Sequence, residues 1–558
     1  MATPSLTAPQ SLAAPDSLTA PRPLTDPAAD PAITPAVAAP VATLPLTPPL
    51  GAPGEPAPYD RALDHRDLES LLATLRLASD RARHTGRPTL ASWAKPLSLG
   101  SAVDIWQRAR LLTTRSLLWQ SAWDGGSVVA FGSAHDLDGH GADRVAAVRA
   151  GWTELVRDPV RGGAADRSTA SGEGPLAIGG FAFAAADPRG SRLPDALMWV
   201  PALQIRSLAP ARAAAEAPTA EAPTAQGLTA EAPTRAELRL NAILSPDDDP
   251  EQRAKELAAL ADTCLLWEPG PARDLPTAPA GRAHTAVELP AAEDWKELVR
   301  RATGRIRAGG FEKVVLAREL RVTASTPFDV PDAVRRLRTA NPGTTVFAVD
   351  HDGCTFLGAT PEYLVRVEDR TVHALGLAGT TPRGATPEQD EVHERELVDS
   401  AKIQHEHDVV VQMLRDALGD SCADVDAETP PRVVKLANVQ HLSTKVHGRL
   451  AEDSPAGILD FVERLHPTPA LGGHPREAAL SWLADNEGLD RSWYAGAVGW
   501  ADGTGQGQFA VAIRSALLDG ATASLYAGCG LVADSDPEAE YAETCAKLRP
   551  MTHALGIE

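Results

Sequence analysis

Residues 345–375 read TVFAVDHDGCTFLGATPEYLVRVEDRTVHAL. Four short runs rich in β-branched and aromatic residues stand in it: Thr345 to Asp350, Thr355 to Ala359, Tyr363 to Glu368 and Thr371 to Leu375. The connectors HDG (His351 to Gly353) and EDR (Glu368 to Arg370) are too short for anything but hairpins. A parallel pair needs a crossover of a dozen residues or more, so this stretch predicts an antiparallel meander. Upstream, Trp295, Leu298, Val299, Ala302 and Ile306 follow helical spacing up to Gly309-Gly310, and a strand follows from Lys313 to Val322. Downstream, Thr386 caps a helix with Pro387 first and Gln389 reaching back, predicted to run unbroken to Leu418 and stop at Gly419. Tyr494 to Trp500 and Gln508 to Ala516 read as strands around a glycine-rich connector. Ser524 to Ala527 leads into GCG, and a last helix starts after Asp536-Pro537. In the first half, Asp67 to Arg81 has helical periodicity, and SVVAFG (Ser127 to Gly132), LAIGGFAFAA (Leu176 to Ala185) and ALMWVPALQI (Ala196 to Ile205) read as strands. Meanders interleaved with long helices predict an α+β fold, not a doubly wound parallel sheet.

Two tracts outside this pattern are marked by composition. Fifteen of the 47 prolines fall in residues 1–58, which hold five charged residues and no aromatic. Such a tract cannot offset its chain entropy by burial, so a disordered Pro/Ala-rich tail is expected over 1–58. EAPT recurs at Glu216, Glu221 and Glu231, and residues 211–235 are expected to be a flexible insertion. That leaves an N-terminal subdomain over 59–290 and a catalytic one over 291–558. The net charge of −21 repels phosphate backbones, so no nucleic-acid partner is expected. No apolar run approaches the roughly 20 residues of a membrane span. The start lacks the basic and apolar regions of a secretory signal. Five scattered cysteines without a CxxC pair argue against a disulfide framework or structural zinc, and suit the cytoplasm.

Candidate chemistry concentrates in the second half. Glu406 sits within HEHD on the predicted long helix. Glu540 and Glu543 share a face of the last helix, with Lys547 one turn on. Hard oxygen ligands from two helices suit Mg²⁺, although a solvated acidic face gives the same pattern. His405 and His407 diverge on a helix, so HEHD is no zincin motif. Arg514 ends an alternating stretch in which Phe509, Val511 and Ile513 share one face. Above Ala510 and Ala512 on the other face it has room to grip a carboxylate, although a surface arginine is the commoner case. Lys313 is a candidate base or a plain edge lysine. Glu362, if kept apolar, could stay protonated as a general acid. GTGQG lies between strands, not between strand and helix, and no P-loop, GxSxG or kinase signature is present.

Taken in order, ten phrases resemble the chorismate-utilising enzymes, most closely the isochorismate synthases. They are KVVLAR (Lys313 to Arg318), GATPEYL (Gly358 to Leu364), LAGTTPRG (Leu377 to Gly384), HEH around Glu406, VQHL (Val439 to Leu442), HPTPALGGHP (His466 to Pro475), YAGAVGW (Tyr494 to Trp500), AIR (Ala512 to Arg514), AGCGLV (Ala527 to Val532) and EYAETCAKL (Glu540 to Leu548). The resemblance implies two packed, mainly antiparallel β-sheets with flanking helices. It implies Mg²⁺ on Glu406 and Glu543, with Glu540 helping. A further helper carboxylate is expected where Ile403 stands. Arg514 and Tyr494 match the positions that hold the enolpyruvyl carboxylate. Gly379, Thr380, Gly528 and Gly530 match loops that accept substrate closely, His441 lies beside the ring and Lys547 near the ring carboxylate.

The resemblance also implies a reaction. Ammonia-using relatives carry glutamine at the position of Lys313, and the covalent-lysine branch carries its lysine at the position of Ala378. Lysine at 313 implies water as nucleophile, with no amidotransferase subunit, and a monomer is expected. Lys313 would take a proton from water attacking C2 of chorismate while Glu362 protonates the departing C4 hydroxyl, giving isochorismate reversibly. Two alternatives stand beside this: a salicylate synthase that goes on to eliminate pyruvate, and a chorismate-binding protein without activity.

Overall fold

The computed structural model describes residues 61–99, 101–164, 174–184, 191–207, 234–266, 283–384, 386–435 and 439–557. The Pro/Ala tail lies outside them, as does the EAPT stretch except Thr234 and Arg235, which open the strand Thr234–Leu244. Among the described residues, strands join into one sheet of thirteen and one of ten, and every pairing but one is antiparallel. Thr89–Leu99 against Val160–Gly163 is the parallel exception. Both sheets draw strands from either side of residue 290, so the two halves of the chain share them.

Alternation along single strands distributes the core. In Thr345–His351, Phe347 and Val349 enter one buried cluster while Val346 and Ala348 enter another. Ser127–Phe131 does the same, with Val128 and Ala130 against Val129 and Phe131. The first cluster contains residues of both sheets and is the filling between them. The second joins the other face of the thirteen-stranded sheet to the helices His65–Thr85, Val330–Ala340 and Pro537–Leu555. A strand that feeds two cores must be apolar on both faces, which is why these runs read as nearly continuous apolar sequence. Truncating a ring such as Phe347 to alanine costs about 3–5 kcal/mol in such a setting.

The predicted hairpins form as read. His351 pairs with Cys354 around Asp352 (φ 45°) and Gly353 (φ 83°), and Glu368 pairs with Thr371 around Asp369 and Arg370, both at positive φ. Two such residues in succession make the turn whose twist matches the flanking strands.

Three predicted elements differ. ALMWVPALQI is two strands, Ala196–Val200 in the ten-stranded sheet and Leu203–Ser207 in the thirteen-stranded one. Pro201 has no N–H to continue a ladder, and the chain changes sheets there. The long helix is two, Pro387–Asp399 and Ala401–Gly419. Ser400 takes an extended conformation between them and its hydroxyl accepts from the Ile403 N–H, so it starts the second helix instead of continuing the first. The third is the strand drawn through Arg514. It ends at Val511, and Ser515–Asp519 resumes in the other sheet. Arg514 sits in that crossing at φ 52°, so its direction is set by a left-handed turn and not by alternation with Ala510 and Ala512.

Candidate active site

A cavity of about 320 Å³ opens where elements of both sheets and two helices meet. Lys313 and Val315 reach it from the strand Lys313–Ala324, and Gly528 and Gly530 face them from Thr522–Leu531, in register with Ala317 and Val315. Both glycines make room. A Cβ on Gly530 would lie 2.7 Å from Lys313 Cε, and one on Gly528 would lie 3.1 Å from the Tyr494 hydroxyl. Leu377, Ala378 and Gly379 enter from Thr371–Pro382 and His441 from Val439–Leu450. Gly379 holds φ 71°, and a Cβ there would come within 2.4 Å of Ile403 Cγ2.

The carboxylates come from the two helices. Glu406 and Ile403 face the cavity from Ala401–Gly419. That helix sits close on its strand because Gly376 leaves space for Val411 and Leu414. Asp536 caps the C-terminal helix Pro537–Leu555 through the N–H groups of Glu538 and Ala539, as the Asp-Pro start predicts. One face of this helix buries Thr544, Leu548, Met551 and Leu555, which turns Glu540, Glu543 and Lys547 toward the cavity.

Every site residue expected from the sequence lines this one cavity, apart from Thr380. Thr380 pairs with His441 across the sheet, and its side chain lies outside the described residues. Sequence reasoning did not single out Cys529, Ser535, Ala470, Leu471, Ile513 or Val532, which also line it. Of these, Cys529 and Ser535 hydrogen-bond the Glu540 carboxylate. Neither carries a spacing signal that would have marked it.

The charges are arranged unequally. Glu362 is only 6% exposed, and burial raises its carboxyl to about 7 against the pull of Lys547, Lys313 and Arg514. It stands just ahead of the strand Tyr363–Glu368, with its main-chain N–H on Thr360 Oγ1. A carboxyl that burial favours in its neutral form therefore shares the cavity with the Lys313 side chain, which makes no hydrogen bond or ion pair with the described residues. Burial, Arg514 and Lys547 lower His441 to about 3, so its ring is neutral, with Nδ1 donating to the Gly379 carbonyl at 3.1 Å. Lys547 bridges Glu543 at 2.5 Å and the Gly528 carbonyl at 3.0 Å, and Arg514 donates to the Lys547 carbonyl at 3.2 Å. Tyr494 stacks on Tyr526 with ring centres 5.4 Å apart, and burial keeps its phenol protonated.

A divalent cation fits this donor set. Burial and the neighbouring Glu543 raise the Glu540 carboxyl above its usual range, the mark of negative charge held with too little compensation. Among the described residues no three carboxylates converge as a ready-made cage. Mg²⁺ does not need one, since it takes one or two carboxylates and fills its octahedron with water and substrate oxygens. Arg514, Lys547, a buried carboxyl and Lys313 thus converge on one enclosed space, an arrangement suited to acid–base chemistry on an anionic small molecule.

The family model described as chorismate binding enzyme matches residues 77–217 and 212–556. The salicylate biosynthesis isochorismate synthase of Pseudomonas aeruginosa is 36% identical over 497 residues, covering 88% of this chain and 94% of that protein. An isochorismate synthase of Bacillus subtilis is 37% identical over 396 residues, covering 70% and 76%. Among solved structures, the menaquinone-specific isochorismate synthase of Escherichia coli aligns with a TM-score of 0.65 at 25% identity, covering 86% of this chain and all of that one.

Proposed function

The chain belongs to the chorismate binding enzyme family, and from that membership we propose that it is an isochorismate synthase, an isomerase interconverting chorismate and isochorismate. The observation that carries this reading is that one cavity holds both Lys313 and the buried Glu362, whose carboxyl burial raises to about 7. Arg514 and the Tyr494 hydroxyl receive the enolpyruvyl carboxylate, and Lys547 faces the ring carboxylate. Lys313, uncharged when it acts, takes a proton from the water that adds at C2. Glu362 delivers its proton to the C4 hydroxyl, which leaves as water while the ring double bonds shift. One water enters and one leaves, so substrate and product are isomers. Neutral His441, fixed by Gly379, lies beside the ring without adding charge. Glu406 and Glu543, with Glu540, would hold Mg²⁺, whose positive charge serves to anchor and neutralise the ring carboxylate.

We further propose that the enzyme is a cytoplasmic monomer that works without an amidotransferase subunit. Five scattered cysteines without a CxxC pair suit a reducing compartment, and among the described residues no helix is long and apolar enough to cross a membrane. The test is product analysis. Purified protein with chorismate and Mg²⁺ should form isochorismate, and should regenerate chorismate from isochorismate. Release of pyruvate with salicylate would assign the salicylate synthase reaction instead, and no turnover in either direction would refute an enzymatic role.

A further inference from the structure

On one edge, part of the strand that carries Lys313 has no strand beside it. On that edge Lys313 and Val314 pair with His474 and Gly473, and Glu319 to Ala324 pair with Leu289 to His284. Residues 315–318 between these pairings face a gap. Val315 and Ala317 turn their main-chain groups into it, and buried main-chain donors and acceptors must find partners somewhere. The Val315 N–H donates to the Gly472 carbonyl at 3.2 Å, and the Ala317 carbonyl accepts from Trp295 Nε1 at 3.2 Å. An ion pair fills the other two places. The Ala317 N–H donates to Glu487 Oε1 at 2.7 Å, and Arg491 Nη2 donates to the Val315 carbonyl at 2.6 Å.

The two side chains also hold each other in a two-pronged bridge of 2.7 and 2.6 Å, and they are 7% and 4% exposed. Arg491 Nη1 donates to the Leu471 carbonyl at 3.1 Å, and the Arg491 carbonyl accepts from the Tyr494 N–H at 2.8 Å. Lys313, Val315, Leu471 and Tyr494 all line the cavity. One buried bridge therefore ties together three separate pieces of its wall. Stability alone is a weak reason for such a pair, because apolar residues could fill the same volume without desolvating two charges. Apolar residues could not accept from Ala317 and donate to Val315 and Leu471.

We propose that Glu487 and Arg491 are positioning residues for Lys313, standing in for the missing strand and fixing the base-bearing segment against the rest of the wall. The proposal rests on the reading of Lys313 as the base. Its test compares Arg491→Lys, Glu487→Ala and Glu487→Gln with a control, Leu257→Ala, in the other core. Lysine cannot span the acceptors of a guanidinium fork, and misplacing a catalytic group by about 1 Å costs on the order of 10²-fold. Arg491→Lys and Glu487→Ala should therefore lower kcat by about that factor at nearly unchanged KM for chorismate. Amide exchange at Ala317 should accelerate in Glu487→Ala. Glu487→Gln keeps an acceptor for Ala317 and should rescue most of kcat. Leu257→Ala should lose thermal stability and keep kcat. Wild-type kcat in Arg491→Lys and Glu487→Ala would overturn the proposal, as would an equal fall in the control. Lys313→Gln separates the two readings: at the wild-type rate it removes the base assignment itself and this proposal with it.

Discussion

Glu362→Gln should inactivate the enzyme and stabilise it, and the second effect should depend on pH. Burial raises the Glu362 carboxyl from an ordinary 4.5 to about 7. Between those values the folded protein binds a proton that the unfolded chain has released, so rising pH favours unfolding across that window. Below it both states are protonated and the cost is absent. Above it the folded state carries a buried charge at full cost. At 1.36 kcal/mol per pH unit the interval amounts to about 3 kcal/mol. Glutamine has the shape of the protonated acid and never ionises, so the variant escapes this cost. An unfolding entropy of about 2.1 cal/mol/K per residue over roughly 500 residues makes 1 kcal/mol worth about 1 °C. The Tm of the variant relative to wild type should therefore rise by about 3 °C between pH 5 and pH 8, as measured by calorimetry. Activity should fall about 10²–10⁴-fold, the usual contribution of a general acid. A Tm difference that is flat with pH, or that moves against the variant at pH 8, would show that Glu362 is not held neutral by burial, and the acid assignment would fall with it.

The same carboxyl sets the alkaline limb of the rate. For the free enzyme, kcat/KM should decline as pH passes about 7 and Glu362 ionises, and a profile level to pH 9 would contradict this. Glu406→Gln or Glu543→Gln should abolish turnover and weaken Mg²⁺ binding by calorimetry while leaving Tm near wild type, and EDTA should mimic the loss reversibly. Undiminished activity in EDTA would remove the metal. Gly379→Ala should raise KM for chorismate and lower Tm, because Cβ meets Ile403 at 2.4 Å in a left-handed conformation. Ile403→Ala in the same chain should recover the steric part and leave the conformational part, whereas full recovery would mean the φ of 71° carries no cost.

Much of the site was legible because its signals are local. Asp536-Pro537 marks where a helix begins, and from that start the three-residue spacing of Glu540 and Glu543 places both on one face, with Lys547 a turn later. The turn chemistry of HDG likewise settles a hairpin by itself, and the hairpins settle the antiparallel class. What the pattern could not supply was anything decided by a partner distant in sequence. Pro201 was visible, but that the two halves of ALMWVPALQI go to different sheets depends on what each half pairs with. Ser400 was visible too, yet a serine inside a helical pattern breaks it only where its hydroxyl caps the next turn better than the helix continues.

Arg514 and the Glu487–Arg491 bridge show the limit most plainly. By alternation Arg514 should rise from one face of a strand. It reaches the cavity because the chain leaves one sheet for the other there and turns through positive φ. Glu487 caps the helix Arg476–Asn486 and Arg491 follows four residues on, outside it, a spacing that on its own reads as an exposed pair worth a few tenths of a kcal/mol. Their weight comes from a four-residue gap in a sheet edge about 170 residues away in sequence. A gap is the absence of a strand, and no residue in the sequence encodes an absence. Such groups become visible only when the main-chain hydrogen bonds are counted out around the site, since every buried N–H and carbonyl left over by the sheets must be answered by some other main-chain group, side chain or water. Here the side chains that answer meet the strand two and four residues along from Lys313, the proposed base.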